Sequence, residues 1–302
     1  MDKRYRTLSK ELCKIFGGKT AKICINAGFS CPNRERNGEG CLFCSESGGA
    51  GFSNNVSLSI KEQINNGKKL LAGKWNPIGY IAYFQNYSNT YAVPAVLRKR
   101  YEEALSMDGI VGLAVATRPD CLGNEVLDLL EEYNERTFLW IEMGLQTSNR
   151  NTAELVNRGY ENHIYEKAVF ELEKRNINHV VHLIAGLPGE KKSDFIESVR
   201  YINKYRPWGI KFHNIYIQRN SPLYSYSLSN DFKVLTLEQY TDWVTDAIMN
   251  LNKTTIIHRL TGDPDRRLLH EPVWIKNKLR VLSEIDRALK EKNGFQGTLN
   301  CY

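Results

Sequence analysis

Short apolar runs alternate with amphipathic stretches along most of the chain. Each run is about as long as a β-strand, and polar or Gly-rich residues follow it. The stretches between the runs place apolar residues on one helical face, as at Phe195, Val199 and Ile202. Near-continuous apolar strands separated by helices are typical of a parallel sheet covered by helices. The six runs are residues 21–26, 78–84, 110–116, 137–145, 179–187 and 210–217.

Six strand–helix units are too few for a closed eight-stranded barrel. We therefore predict an α/β fold, a partial (β/α)6 TIM-like barrel over residues 1–235 with a C-terminal helical extension over 236–302 packed on it. In a (β/α) barrel the active site is built from loops at the C-terminal ends of the strands. We expect the polar segments after the runs to meet at one mouth: residues 85–91, 117–120, 146–149, 188–190 and 218–222.

The charge of the chain is concentrated at its two ends. The net charge is +7; residues 1–22 carry seven basic and two acidic side chains, and residues 253–292 carry ten and six. Such ends can contact phosphates, although solvated helix faces explain most basic runs. No segment approaches the roughly 18 apolar residues of a membrane span, and the N-terminus lacks the apolar segment of a signal peptide. We expect a cytoplasmic protein.

Three cysteines lie close together in a polar loop, residues 29–44. The seven cysteines of the chain do not form the dense even framework of a disulfide-rich secreted protein, so clustered thiols are candidate metal ligands. A structural zinc site needs a fourth ligand, and Cys24 lies in an apolar run that we expect to point it into the sheet. Cys31, Cys41 and Cys44 suit a [4Fe–4S] cluster with one open iron; zinc or redox use is the alternative. The remaining cysteines are expected to be non-functional: Cys13, Cys24, Cys121 and Cys301.

This cysteine loop resembles the signature of the radical S-adenosylmethionine (SAM) superfamily. The nine residues between Cys31 and Cys41 are similar to the spacing in the Elongator catalytic subunit. Other segments resemble the YhcC/YtqA-type members of the superfamily: NAGFSCPNR, YFQNYSNTY, TRPDCL, GLQT, HLIAGLPGE and HRLTGDP. The resemblance implies a barrel of the radical SAM type, a [4Fe–4S] cluster held by Cys31, Cys41 and Cys44, and SAM on the open iron. It also implies a reducing electron donor such as flavodoxin or ferredoxin.

The resemblance places cofactor contacts at two strand ends. Gln85 and Asn86 end the second run, where relatives hold the amino group of SAM; a plain turn is the alternative for Asn86. Glu142 and Gln146 share one face of the fourth strand, where they could hydrogen-bond the ribose. In the segment TRPD, residues 117–120, substrate contact and a simple ion pair are both open.

Further candidates lie after the fourth and fifth strands. Arg158 resembles the arginine that clamps the methionyl carboxylate in relatives, with a surface arginine as the alternative. Gly186 and Gly189 form a turn that is expected to bring the backbone close to adenine, although such turns are often only structural. His182 and His213 could face the barrel or be core histidines.

The predicted activity is hydrogen abstraction from RNA. Elongator relatives work on the C5 side chain of wobble uridine in tRNA, and basic ends with 16 tyrosines provide phosphate and stacking contacts. The chain has no room for the acetyltransferase domain of those relatives, which leaves trimming of an installed group, such as carboxymethylaminomethyl to aminomethyl. The alternatives are a radical SAM enzyme for a small metabolite or peptide, and a zinc-binding RNA-associated module.

Overall fold

The computed structural model describes residues 3–38, 40–45, 55–72 and 76–300, with the backbone alone for Asn37. Residue 39 of the cysteine loop and Cys301 lie outside these ranges. The main strands are β1 (Thr20–Ile25), β2 (Gly79–Phe84), β3 (Ile110–Thr117), β4 (Phe138–Gln146), β5 (Asn178–Ala185), β6 (Gly209–Asn214) and β8 (Ile256–Arg259). They form one parallel sheet in the order β1-β2-β3-β4-β5-β6-β8. A separate antiparallel ribbon pairs β7 (Ile217–Gln218) with β9 (Leu269–Glu271).

Helices cover the outer face of the sheet. The sequence marks their ends: the Thr7 hydroxyl caps the first helix, and Gly17, with a φ of 76°, ends it. No helix among the described residues is long and apolar enough to cross a bilayer. The helices are α1 (Leu8–Phe16), α2 (Pro32–Asn37), α3 (Ile60–Ala72), α4 (Pro94–Leu105), α5 (Asn124–Arg136), α6 (Arg150–Leu155), α7 (Asn162–Lys174), α8 (Lys192–Asn203), α9 (Pro222–Ser229), α10 (Leu237–Asn250) and α11 (Lys278–Glu291).

Strand alternation divides the apolar residues between two cores. Residues such as Ile23 and Ile25 of β1 pack outward, against the helices. The opposite face of the curled sheet forms a smaller core, which includes Trp140 and Ile256. Leu8 and Leu12 of α1 and their neighbours pack into this inner core. The inner face is therefore closed by apolar packing at one end and carries polar side chains toward the other.

The predicted fold class is confirmed. All six predicted strands are present, and the polar segments that follow them lie at the carboxyl edge of one sheet. The sheet also has a strand that the sequence pattern did not predict, because β8 is only four residues long and lies in the predicted extension. It pairs with β6 through Gly209 and Ile256. Residues on both sides of position 235 thus share one sheet, and the division into two domains stays a prediction.

Candidate active site

The carboxyl ends of the strands surround one cavity. It encloses about 1170 Å³, including space open to solvent. The cysteine loop, the strand ends and the segment after β8 form its wall. The wall includes these sequence-predicted residues: Cys31, Cys41, Cys44, Gln85, Glu142, Gln146 and Arg158.

Side-chain amides fix the cysteine loop to the chain after α6. Cys31 precedes the first residue of α2, and in that helix Asn33 Nδ2 donates to the Asn157 carbonyl at 2.7 Å and lies 3.5 Å from Cys41 Sγ. In return, Asn157 Nδ2 donates to the Gly40 carbonyl at 2.7 Å. All six described cysteines are free thiols. The loop is thus held by hydrogen bonds, with its thiols available as ligands.

The three thiols of the loop all line the cavity. Burial raises the pKa of Cys41 to about 12, Cys44 and Cys31 add to this, and the Arg118 guanidinium opposes it. Among the described residues, no group of three or more His, Cys, Asp or Glu side chains is placed to hold a metal ion. A zinc ion draws its ligands to within about 2.3 Å of one point. A cluster instead gives each thiolate its own iron.

The end of β2 brings one of its two candidates into the cavity wall. Gln85 lines the cavity, and its Oε1 accepts a hydrogen bond from Cys24 Sγ at 3.2 Å. Cys24 therefore faces the barrel interior and not, as we expected, the body of the sheet. Asn86 is buried, and its carbonyl accepts a hydrogen bond from Asn89 Nδ2 at 3.0 Å. It lies outside the cavity wall that the described residues form.

Gln146 combines an unusual backbone with an unsatisfied side chain. Its φ is 65°, in the left-handed region, and the register of β4 with β5 shifts between Gly144 and Gln146. Its Oε1 is buried with no hydrogen-bond partner among the described residues. Strained backbone and unpaired buried acceptors are costly, and both are concentrated at functional sites. The predicted cofactor contact of Gln146 stays a prediction, and this geometry supports it.

Arg158 has a full set of partners within the protein. It is 2% exposed, and its guanidinium donates to the carbonyls of Leu145, Thr147 and Tyr160 and to Asn162 Oδ1. These bonds use all five of its N–H groups. A carboxylate clamp, as the sequence predicted, would have to displace one of them. The structure shows Arg158 fixing the chain after β4.

Arg118 is the better-placed guanidinium. It lines the cavity, pairs with Asp120 through two bonds of 2.8 Å, and donates to the Arg158 carbonyl at 2.9 Å. Its guanidinium lies 5.0 Å from the centre of the Tyr160 ring, a cation–π contact. Its charge also opposes the rise in the Cys41 pKa. Of the two alternatives for the segment TRPD, the structure contains the ion pair, between Arg118 and Asp120. This pair holds the Arg118 guanidinium near the thiols.

Glu142 lies at the centre of a buried polar network. Its Oε2 accepts from Tyr83 Oη at 2.7 Å, from the Lys211 ammonium, and lies 3.0 Å from His182 Nε2. Trp140 Nε1 donates to Oε1 at 2.9 Å. Glu142 lines the cavity as predicted. Its contact with a ribose stays a prediction.

The charges of this network are set by burial and by each other. Burial would raise the pKa of Glu142, but Lys211 and His182 hold it well below its usual value. Burial lowers the pKa of Lys211 to about 7, against the opposing effect of Glu142. Burial likewise lowers the pKa of His182 to about 4, so His182 is neutral at pH 7. Sequence analysis missed Tyr83, Lys211 and Arg259; a lysine inside the apolar run of β6 was the available signal.

Gly186 and Gly189 adopt conformations that glycine favours. Their φ angles are 82° and 80°, and a Cβ on Gly186 would lie 2.8 Å from Leu235 Cγ. Neither residue lies in the cavity wall formed by the described residues. The structure thus explains both glycines by the turn after β5, and an approach to adenine stays a prediction. His182 and His213, in contrast, both line the cavity.

A curled parallel sheet with three free thiols at its mouth defines a class of α/β barrel enzyme that carries an iron–sulfur cluster. Family profiles agree: the Radical SAM superfamily profile matches residues 25–202, and the Radical_SAM C-terminal domain profile matches residues 207–291. The chain belongs to the radical SAM superfamily. Its cofactors are a [4Fe–4S] cluster and SAM, and enzymes of this superfamily need a reductant.

Similar proteins cover nearly the whole chain. YtqA of Bacillus subtilis is 37% identical over 98% of this chain and 92% of its own length. YhcC of Escherichia coli is 34% identical over 95% and 93%. Among solved structures, Elp3 of Methanocaldococcus infernus superimposes with a TM-score of 0.71 at 14% identity, over 92% of this chain. The chain spans 64% of that Elp3 chain, and the likeness shows a shared fold.

Proposed function

We propose that this radical SAM enzyme acts in the cytoplasm on tRNA and trims the C5 side chain of wobble uridine, for example from carboxymethylaminomethyl to aminomethyl. The observation that carries the proposal is the position of a basic segment beside the mouth that holds the three thiols. Likeness to the Elongator catalytic subunit supports wobble uridine as the target. SAM held on the cluster would supply a 5′-deoxyadenosyl radical that takes one hydrogen atom from the carboxymethyl carbon. Return of one electron to the oxidised cluster and addition of water would then break the C–N bond, release that group as glyoxylate and leave the aminomethyl side chain.

The chain's own residues would hold the cofactors in the following way. Cys31, Cys41 and Cys44 are the proposed cluster ligands, and flavodoxin or ferredoxin is the proposed electron donor. The Arg118 guanidinium, near the thiols, is placed to attract the methionyl carboxylate. Gln146 offers its Oε1, which has no partner among the described residues, as an acceptor for a ribose hydroxyl.

An apolar side pocket suits the adenine ring. It opens beside Gln146, and Phe43 of the cysteine loop lines both this pocket and the main cavity. Flat bases stack on aromatic rings, so Phe43 would place adenine close to the thiols. The other residues of the pocket include Ile184, Ile215 and Tyr216.

The basic segment after β8 borders the mouth. Asp263 lines the cavity, and Lys278 pairs with it at 2.6 Å. The exposed side chains of Arg266, Arg267 and Lys276 lie in the same segment. Because β9 of this segment pairs with β7, which follows β6, the segment stays beside the strand ends. These cations are therefore available to RNA phosphates near the reacting centre.

The substrate is tested by mass spectrometry of nucleosides from tRNA of cells that lack the gene. We expect a wobble uridine with a carboxymethylaminomethyl side chain to accumulate and the aminomethyl form to disappear. The purified holoenzyme, under anaerobic conditions, should convert the first into the second. An unchanged nucleoside profile, with no conversion by the purified enzyme, contradicts the RNA substrate and favours a small metabolite or peptide.

The RNA interface is tested by the salt dependence of tRNA binding. Changing Arg266, Arg267 and Lys276 together to Glu should weaken binding and reduce the log–log salt slope by roughly 0.7–0.9 for each phosphate that is no longer neutralised. A matched control reverses three exposed lysines that lie in α7 or directly after α8: Lys167, Lys174 and Lys204. Equal salt slopes of tRNA binding in the two triple variants would show that the segment after β8 is not part of the RNA interface.

A further inference from the structure

A β-bulge turns Arg259 into the cavity. Ile256 of β8 packs in the inner core and Ile257 in the outer core, so strict alternation would point Arg259 outward, away from the cavity. The register of β8 with β6 shifts, however, so that Ile257 pairs with Ile210 and Arg259 with Lys211. A bulge adds one residue to a strand and re-aims the side chains after it. Arg259 consequently lines the cavity.

Arg259 differs from the other cations of the cavity wall. Among the Lys and Arg side chains that line the cavity in the described part of the chain, it alone makes no hydrogen bond or ion pair. The other four are paired: Arg34 with the carbonyls of Cys44 and Ser45, Arg118 with Asp120, Arg158 with backbone carbonyls, and Lys211 with Glu142. The Arg259 fork is thus available to a ligand.

The surroundings of Arg259 favour an anion. Lys211 is its direct partner across the strands, and like charges in such positions repel each other. Glu142 already pairs with Lys211, and Asp263, the other acidic side chain in the wall, pairs with Lys278. His213 adds a buried Nε2 that has no hydrogen-bond partner among the described residues. A ligand carboxylate here would relieve the repulsion and satisfy these groups.

We propose that Arg259, with His213 beside it, binds a carboxylate of the substrate. The proposal deepens the proposed function and rests on it, because the carboxymethylaminomethyl side chain ends in a carboxylate. The carboxylate of SAM has the same chemistry, but the guanidiniums that act on the thiols Cys41 and Cys44 are those of Arg118 and Arg34. The carboxylate of the substrate and the carboxylate of SAM would therefore bind different arginines. Arg259 then selects side chains that still carry the group to be removed.

The test uses the Arg259→Gln variant of the full-length holoenzyme. Because Arg259 makes no hydrogen bond or ion pair with the described residues, the variant should fold and keep its iron. We expect its KM for tRNA from cells lacking the gene to rise on the order of tenfold, the effect of losing one charge-assisted bond. Its affinity for SAM should stay unchanged. Arg200→Gln, an exposed arginine of α8 that pairs with Glu197, is the matched control and should change neither quantity.

A second measurement does not depend on RNA. Phenylglyoxal modifies accessible arginines, and peptide mass spectrometry reads the extent of modification at Arg259 and at Arg200. We expect acetate to protect Arg259 in the SAM-loaded enzyme and to leave Arg200 unprotected. If acetate protects Arg259 but the parent enzyme converts no tRNA, the result supports the anion site and contradicts RNA as the substrate.

Any one of three results would contradict the proposed carboxylate site at Arg259. In the first, Arg259→Gln lowers the affinity for SAM and the turnover of tRNA by the same factor, which assigns the arginine to the cofactor. In the second, the parent converts tRNA and the variant does so with an unchanged KM. In the third, acetate fails to protect Arg259, which then meets only cavity water.

Discussion

The buried pair of Lys211 and Glu142 gives the sharpest stability prediction. The Lys211 side chain is 1% exposed and that of Glu142 is fully buried. At pH 6 both members of the pair are charged, because the pKa of Lys211 is about 7 and that of Glu142 lies well below its usual value. Lys211→Met leaves the carboxylate with Tyr83, Trp140 and His182 as its remaining described partners, none of which carries a full positive charge at pH 6. Removing one member of a buried ion pair typically costs about 3–5 kcal/mol. We expect a loss of that size for this variant.

The reverse substitution should cost less at pH 6. Glu142→Gln leaves Lys211 without its carboxylate, but burial already lowers the pKa of Lys211 to about 7, so the amine can become neutral. In Lys211→Met the carboxylate keeps the hydrogen bond to His182, which favours its charged form, so at pH 6 it stays charged and buried and has no such escape. The double variant removes both charges. Its loss in the free energy of unfolding should therefore be smaller than the sum of the two single losses by about 2–3 kcal/mol.

Urea denaturation of the apoprotein at pH 6 under anaerobic conditions measures this cycle. Arg98→Met is the control: Arg98 pairs with Glu132 at 2.5 Å, but the two side chains are 46% and 40% exposed. Its loss should be no more than about 1 kcal/mol. The reasoning is refuted if Lys211→Met costs no more than Arg98→Met, or if the two substitutions in the cycle are additive.

Two further substitutions test the cysteine loop and the turn after β5. Gly159→Ala would place a Cβ 2.3 Å from Asn33 Oδ1, so the variant should incorporate less iron. Gly38→Ala has a similar φ of 74°, its Cβ would meet no described atom within 4 Å, and the variant should retain its iron. Equal iron contents in the two variants would contradict the packing argument. Burial raises the pKa of Glu190 from 4.5 to about 7, against a hydrogen bond from Thr147. The folded state therefore holds the Glu190 proton more tightly than the unfolded state does. The protonated carboxyl stabilises the folded state fully below pH 4.5, and this contribution of up to about 3 kcal/mol is lost as the pH rises to about 7. Glu190→Gln should lack this loss in denaturation curves recorded from pH 4.5 to 8, and an identical pH profile would contradict it.

The sheet and the cysteine loop were predictable because their signals are local. Apolar runs of strand length produced all six expected strands, and three closely spaced cysteines in a polar loop indicated a shared site. Strand β8 could not be predicted in this way. It has only four residues, two of them His258 and Arg259, and its place beside β6 depends on tertiary pairing.

The partners of the buried charges were beyond sequence reasoning. Arg158 looked like a ligand for a carboxylate, but its acceptors are carbonyls brought together by the end of β4 and the turn at Tyr160. Lys211 lies 69 positions from Glu142 in the chain, and the sheet brings the two together. Such pairings follow from the register of the strands, which single-sequence periodicity does not determine.

The most direct test of the account is the cluster content of single cysteine variants. Iron, sulfide and 5′-deoxyadenosine formation would be measured after anaerobic reconstitution of the parent and of four Cys→Ala variants: Cys31, Cys41, Cys44 and Cys24. The account predicts that the first three lose the cluster and all cleavage of SAM, because a cluster with one open iron needs all three thiolates. The thiol of Cys24 donates to Gln85 in the same cavity. The Cys24→Ala variant should keep both the cluster and the cleavage of SAM. Full iron content in Cys41→Ala, or loss of iron in Cys24→Ala, would contradict the proposed ligands.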